Sequence, residues 1–257
     1  MRPLMLGNEA VAYGALAAGV AVASGYPGTP SSEVVETLLE FKDRYVRWAA
    51  NEKVAVELAY GAALAGARAL AAMKHVGLNV AADPLHSAAY TGVNGGMLLV
   101  VADDPGMWSS QNEQDTRWYG LQSYVPVLEP SDPRDAYRMA KEGFHLSEAL
   151  GLPMILRSVT RVSHVRAPVE VEPPSPPKWG DFKKAPGRYV LVPQNARARK
   201  EDLLRRWELA AEFSAKYISA EGDGDVCIAA SGVAYEYAAE AVERMRAKAK
   251  LLKFGMS

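Results

Sequence analysis

Glu52 follows Asn51 at the point where an apolar helical pattern begins. A carboxylate there complements the positive end of the helix dipole, and Asn51 can cap the helix, which explains both residues structurally. Buried in an apolar cleft, the same carboxyl would keep its proton toward neutral pH and exchange it with a nitrogen base. The run Tyr26-Pro27-Gly28-Thr29-Pro30-Ser31-Ser32 combines prolines, a glycine and hydroxyls ahead of another helix. Its plainest reading is a turn in which Ser31 or Ser32 serves as cap. Met73-Lys74-His75 sets a cation and an imidazole just past an apolar run, suitably placed for a carboxylate ligand. A long polar stretch, Asp103 to Asp115, contains Gln111 and Asn112, and loops of such length in compact folds are commonly functional. Asp103 and Asp104 lack the spacing of a calcium loop, so a solvated turn is the simpler account of them.

The elements that must position these residues alternate in type. Short apolar runs at Val20–Ser24, Tyr45–Trp48, Ala69–Lys74, Met97–Ala102, Val125–Leu128 and Met154–Arg157 predict strands. Helical patterns lie between them: Ala10–Ala18 behind an Asn8 cap, Glu33–Phe41, Glu52–Ala65, Val80–Tyr90 and Pro133–Leu150. This alternation predicts an α/β fold, a doubly wound and mostly parallel sheet covered on both faces. Ligands of such sheets sit at the carboxyl ends of the strands, where the unusual residues fall. Residues 165–197 hold Pro168, Pro173, Pro174, Pro176, Pro177 and Pro186 and read as a linker. Beyond it, a charged helix (Ala198–Tyr217), a strand (Asp225–Ala230), a helix (Tyr235–Lys248) and a strand (Lys250–Phe254) open a second α/β unit. Two strands cannot enclose a core, so that unit is expected to lean on something else or to be incomplete.

Composition removes several classes of function. The chain is 49% hydrophobic and 23% charged with a formal net charge of −1, which lacks the basic excess a nucleic-acid-binding surface needs. Cys227 is the sole cysteine, so this chain cannot by itself hold an iron–sulfur cluster or a cysteine-rich zinc site. His75, His86, His145 and His164 are scattered rather than set at metal-ligand spacing. No apolar run reaches the length of a membrane span, and the first residues lack the layout of a signal peptide, so a soluble cytoplasmic protein is expected. Phosphate-loop, dinucleotide and serine-hydrolase fingerprints are missing. Gly222-Asp223-Gly224 matches the opening of a magnesium–diphosphate signature, but no asparagine occurs after Asn195 to complete it, and it reads as a turn.

Taken together the motifs resemble a known family. Gly7-Asn8-Glu9-Ala10, Gly25-Tyr26-Pro27-Gly28-Thr29-Pro30-Ser31-Ser32-Glu33, Asn51-Glu52-Lys53-Val54-Ala55 and Met73-Lys74-His75-Val76-Gly77-Leu78-Asn79 are similar to the alpha subunits of indolepyruvate ferredoxin oxidoreductases. Ser109-Ser110-Gln111-Asn112-Glu113-Gln114-Asp115 and Arg157-Ser158-Val159-Thr160-Arg161-Val162-Ser163-His164 continue the likeness, which spans essentially the whole chain. These enzymes belong to the 2-oxoacid:ferredoxin oxidoreductase family. They convert aryl-pyruvates to acyl-coenzyme A with thiamine diphosphate and magnesium, and pass electrons through 4Fe–4S clusters to ferredoxin.

The resemblance implies that residues 1–164 form a domain binding the cofactor's pyrimidine. Residues 198–257 then begin a transketolase-C-terminal-like domain. Glu52 matches the glutamate that contacts the aminopyrimidine ring nitrogen; a protonated carboxyl there favours the imino form whose nitrogen takes the thiazolium proton. Tyr26, Pro27 and Gly28 are implied to touch the cofactor, and Thr29, Lys74, His75, Gln111 and Asn112 to border substrate. The magnesium–diphosphate domain and the cysteine-rich ferredoxin-like region of the family do not occur within these residues. The chain alone is therefore expected to be inactive, with the diphosphate-binding and ferredoxin-like parts, a beta subunit, ferredoxin, coenzyme A and aryl-pyruvate as partners in an oligomer. A non-catalytic assembly module is the competing expectation.

Overall fold

A computed structural model describes residues 2–257. The elements run β1 (Leu4–Leu6), α1 (Gly7–Ala17), β2 (Val22–Gly25), α2 (Ser32–Leu39), β3 (Tyr45–Trp48), α3 (Glu52–Leu64), β4 (Ala69–Lys74), α4 (His75–Val80) and α5 (Ala82–Thr91). They continue with β5 (Met97–Asp103), α6 (Arg117–Ser123), β6 (Val127–Leu128), α7 (Pro133–Leu150), β7 (Met154–Val159), α8 (Thr160–Ser163), β8 (Arg166–Pro168) and α9 (Pro186–Tyr189). The last elements are α10 (Pro193–Ser214), β9 (Ile218–Glu221), β10 (Val226–Ser231), α11 (Val233–Met245) and β11 (Ala249–Phe254).

Six strands form one parallel sheet in the order β3-β2-β4-β5-β7-β6. Its centre is apolar on both faces, and every residue of β5 is buried, which is why that run lacks alternation. Right-handed crossovers put α1, α2 and α7 together on one face and α3 and α5 on the other. The helix ends follow local chemistry. Asn51 accepts from the Val54 amide at 3.0 Å and Asp132 from the Asp135 amide at 2.8 Å, while Pro133 opens α7 and Gly151, at φ 62°, closes it. Helices α1 and α7 cross where Gly14 has no side chain; a Cβ there would lie 2.3 Å from the Tyr137 carbonyl oxygen.

Several expectations are corrected. Asn8 does not cap the first helix. It is buried inside α1, and its Nδ2 donates to the Pro30 carbonyl and to Glu33 Oε2, each at 2.7 Å. The helix expected over Val80–Tyr90 is two helices broken at Ala81, because Pro84 has no N–H for the Val80 carbonyl. The later helix starts at Pro193, proline being suited to a first turn, and ends at Ser214. β1 and β8 pair antiparallel, a long-range contact between segments too short to show periodicity.

The proline-rich segment is packed along the amino ends of the parallel strands. Ser175 N–H donates to the Leu16 carbonyl at 3.0 Å, Lys178 N–H to Gly19 at 2.8 Å, and Arg68 N–H to Lys178 at 3.1 Å. The second unit has three strands in the order β10-β11-β9, the short β9 having escaped notice. Gly222-Asp223-Gly224 joins β9 to β10, with Gly222 at φ 76°, so it is the expected turn. This unit leans on the large sheet: Val127 and Ser257 exchange backbone hydrogen bonds of 2.7 and 2.9 Å, and Glu129 N–H donates to Gly255 at 2.9 Å. The edge strand β6 is thereby covered. Lys253 Nζ, 2.5 Å from Asp135 Oδ2, reinforces the contact. Among the described residues no helix is long and apolar enough to cross a membrane.

Candidate functional site

The strand order places a topological switch between β2 and β4. From β2 the chain runs outward to β3, then returns past β2 to β4 and onward to β5. The loops leaving β2 and β4 therefore diverge, and such a switch point is where open α/β sheets bind their ligands. Periodicity alone could not reveal this order, yet the Tyr26–Ser31 loop and the Lys74-His75 pair fall at that switch point.

The β2 loop is held by its own hydroxyls. Ser31 Oγ donates to the Gly28 carbonyl at 2.8 Å, and Gly28 N–H donates to Ser32 Oγ at 3.0 Å. Gly28 brings the loop against β4: a Cβ on it would lie 3.2 Å from Lys74 Cβ. The Thr29–Pro30 peptide is cis. Tyr26, Pro27 and Thr29 are exposed.

Strand β4 passes directly into α4, which puts Lys74 and His75 at the junction. Both reach to the long β5 loop. Lys74 Nζ donates to the Ser109 carbonyl at 2.6 Å, and His75 Nε2 lies 3.1 Å from the Asn112 carbonyl, the geometry of an Nε2–H donor. His75 is 1% exposed, and its Nδ1 is buried without a partner among the described residues. Asn112 thus meets His75 through its backbone; its side chain is exposed and accepts from Gln114 at 3.0 Å. Gln111 is exposed on the same loop.

Asp103 and Asp104 correct the reading of a solvated turn, since both are fully buried. Asp104 accepts from Ser109 N–H and Ser110 Oγ at 2.7 Å and from Thr160 Oγ1 at 2.6 Å. Burial pushes its pKa up, but these donors prevail and hold it at about 2. Asp103 pairs with Arg157 at 2.7 Å, and Arg157 also meets the buried Glu129 at 2.9 Å. The loop is therefore anchored at its root by the paired Asp103 and the hydrogen-bonded Asp104, and Lys74 and His75 hold its middle.

Glu52 opens α3 with its carboxyl half buried, and no described residue gives it a hydrogen bond or ion pair. It packs on Gly77 of α4: a Cβ there would lie 2.5 Å from Glu52 Cγ and Oε1. Gly77 and the anchoring pair Arg157 and Thr160 were not singled out by sequence reasoning. Gly77 could have been found as a glycine interrupting a short helix beside two candidate residues. The structure thus joins Gly28 to Lys74, Lys74 and His75 to the β5 loop, and Glu52 to α4. Among the described residues, no side-chain hydrogen bond joins Thr29 or Gln111 to them. A separate cleft of about 780 Å³ opens between the start of α7, α8 and α11, lined among others by Trp108, Arg134, Arg161 and Tyr237. Glu52, Thr29 and His75 do not line it.

A parallel sheet with polar loops gathered at its switch point suits a ligand-binding domain. The model of the pyruvate flavodoxin/ferredoxin oxidoreductase family, thiamine diphosphate-binding, matches residues 13–215. The chain belongs to this family. It is 49% identical over 261 residues to indolepyruvate oxidoreductase subunit IorA of Archaeoglobus fulgidus, and 44% identical over 262 residues to that of Methanothermobacter thermautotrophicus. These alignments cover 97% and 98% of this chain but 42% of each relative, so the chain spans about two fifths of their length. The 2-oxoglutarate:ferredoxin oxidoreductase from Magnetococcus marinus, solved with 2-oxoglutarate, coenzyme A and succinyl-CoA bound, shares the fold. Its TM-score is 0.82 at 20% identity, covering 99% of this chain and 54% of that one.

Proposed function

We infer that the chain is the pyrimidine-side part of a thiamine diphosphate-dependent 2-oxoacid:ferredoxin oxidoreductase acting on indolepyruvate and related aryl-pyruvates. The observation that carries this reading is the Glu52 carboxyl. It belongs to a half-buried residue, has no hydrogen-bond or ion-pair partner among the described residues, and stands at the head of a helix packed on α4, the helix that begins with His75. A carboxyl left without a partner in the chain is free to meet a ligand. The residues fit the cofactor on that ground, and the similarity to IorA subunits supports the substrate class.

Bound thiamine diphosphate supplies a carbon nucleophile and an electron sink for decarboxylating a 2-oxoacid. With the cofactor bound, the Glu52 carboxyl would lie at the ring nitrogen of the aminopyrimidine and share a hydrogen bond with it. Tyr26, Pro27 and Gly28 back the ring along the β2 loop. Thr29, Lys74 and His75 border the 2-oxoacid, with the Lys74 ammonium offering its charge to the carboxylate. Gln111 and Asn112 close the site from the β5 loop. Magnesium, the cofactor's diphosphate and the 4Fe–4S clusters are assigned to partner segments, together with the handling of coenzyme A and ferredoxin.

Assembly with those segments should give ferredoxin- or dye-linked oxidation of indolepyruvate, and Glu52→Gln should reduce it by about 100-fold or more. Full activity in the variant overturns the role of Glu52. Lack of activity with every supplied partner favours the assembly module, a reading to which the exposed Trp108 (72%) and Trp118 (68%) lend a surface.

A further inference from the structure

Gly77 is the third residue of α4 and does not lie in the left-handed region, so its backbone does not require glycine. Glycine is, after proline, the residue least favoured inside a helix. Other helical glycines have different surroundings. Gly61 has nothing within 4 Å of its Cβ position, Gly14 meets the backbone of Tyr137, and Gly143 meets the side chain of Leu98. At Gly77 the three nearest atoms all belong to one candidate site residue: Glu52 Cγ and Oε1 at 2.5 Å and Cδ at 2.8 Å. The Glu52 side chain fills the space that the missing Cβ leaves.

We propose that Gly77 is a positioning residue, whose empty Cβ space sets the pose in which Glu52 presents its carboxyl. This rests on the role given to Glu52 above. No described residue restrains that carboxyl by a hydrogen bond or ion pair, and its close packing on Gly77 is a contact that limits its torsions. An alanine methyl group would stand well inside contact distance of the carboxyl. The atoms it meets are the movable end of a side chain and not backbone, so relief comes by rotation of Glu52 into another rotamer. The fold survives that rotation. The direction of the carboxyl does not, and displacement of a reacting group by about 1 Å can cost on the order of 100-fold in rate.

The test uses the assembled enzyme with Gly77→Ala, Glu52→Gln and the double variant. One readout is the affinity for thiamine diphosphate against an analogue in which carbon replaces the ring nitrogen that Glu52 addresses. The wild type should prefer the nitrogen compound by about tenfold or more. Gly77→Ala should lose that preference, lower kcat by about 100-fold, and leave KM for the 2-oxoacid within about twofold. Added to Glu52→Gln, it should change kcat by less than about twofold, because both act on one group. The melting temperature of the cofactor-free enzyme should stay within about 3 °C of wild type. Retained preference and kcat in Gly77→Ala, losses that multiply in the double variant, or a larger fall in melting temperature would each overturn the proposal. The two inferences fail separately. A normal Glu52→Gln removes the role of Glu52 itself, whereas an impaired Glu52→Gln beside a normal Gly77→Ala removes only that of Gly77.

Discussion

The two ends of the parallel sheet carry similar residue types in opposite states. At the amino end, Arg68 is matched from every side. Its Nε and Nη2 donate to Glu148 at 2.9 and 2.8 Å, its Nη1 donates to the Ala18 carbonyl, and Lys178 adds a 2.8 Å bond to the same carboxylate. At the carboxyl end, Glu52 has no partner and His75 Nδ1 is buried without one. The carboxyl end also holds Asp103 and Asp104, which are matched within the chain, so the contrast is between particular groups: Arg68 and Glu148 are paired, whereas Glu52 and His75 Nδ1 have no partner among the described residues.

Substitutions should divide along the same line. Glu52→Gln should show the largest effect, an activity loss of about 100-fold or more with the melting temperature unchanged. At the opposite end, Arg68→Ala should lower stability by about 1–3 kcal/mol in denaturant unfolding, since it leaves the part-buried Glu148 carboxylate with only Lys178 and the Gly96 amide, while kcat per folded molecule holds. Asp104→Asn should cost about 1–2 kcal/mol and speed hydrogen exchange in the β5 loop, because two hydroxyls and an amide lose a charged acceptor.

The smallest effect concerns acid. Burial raises the Glu148 pKa, but its bonds to Arg68 and Lys178 outweigh that and hold it at about 2, below its ordinary 4.5. A depressed carboxyl contributes stability above its unfolded pKa and loses it as pH falls toward the folded value. The midpoint of urea unfolding should therefore fall between about pH 4.5 and pH 2, and less so in Glu148→Gln. An equal acid response in that variant would remove the amino-end network from the contrast.

The fold was legible where local signals were strong. The strands Tyr45–Trp48 and Ala69–Lys74 and the helix Pro133–Leu150 carry their bounds in apolar runs, caps and a closing glycine. β1, β8 and β9 were not legible, because these segments are too short to show periodicity and pair with partners distant in sequence or in the second unit. Of the candidate site, Glu52, His75 and the β2 loop could be named from residue type and place. Strand order was beyond reach, and with it the switch point between β2 and β4. So was the contact of Glu52 with Gly77, since these residues are distant in sequence and meet only once α3 and α4 are packed. Asp103 and Asp104 misled for the opposite reason: their partners Arg157 and Thr160 lie far along the chain, so their burial was invisible.

The most direct measurement is the rate at which bound thiamine diphosphate exchanges its thiazolium C2 proton with deuterated solvent, compared in the assembled wild-type and Glu52→Gln enzymes at saturating cofactor. Exchange should slow by about 100-fold in the variant while the cofactor remains bound. Equal exchange rates would contradict an acid function for Glu52 and leave the carboxyl end of the sheet without its assigned chemistry.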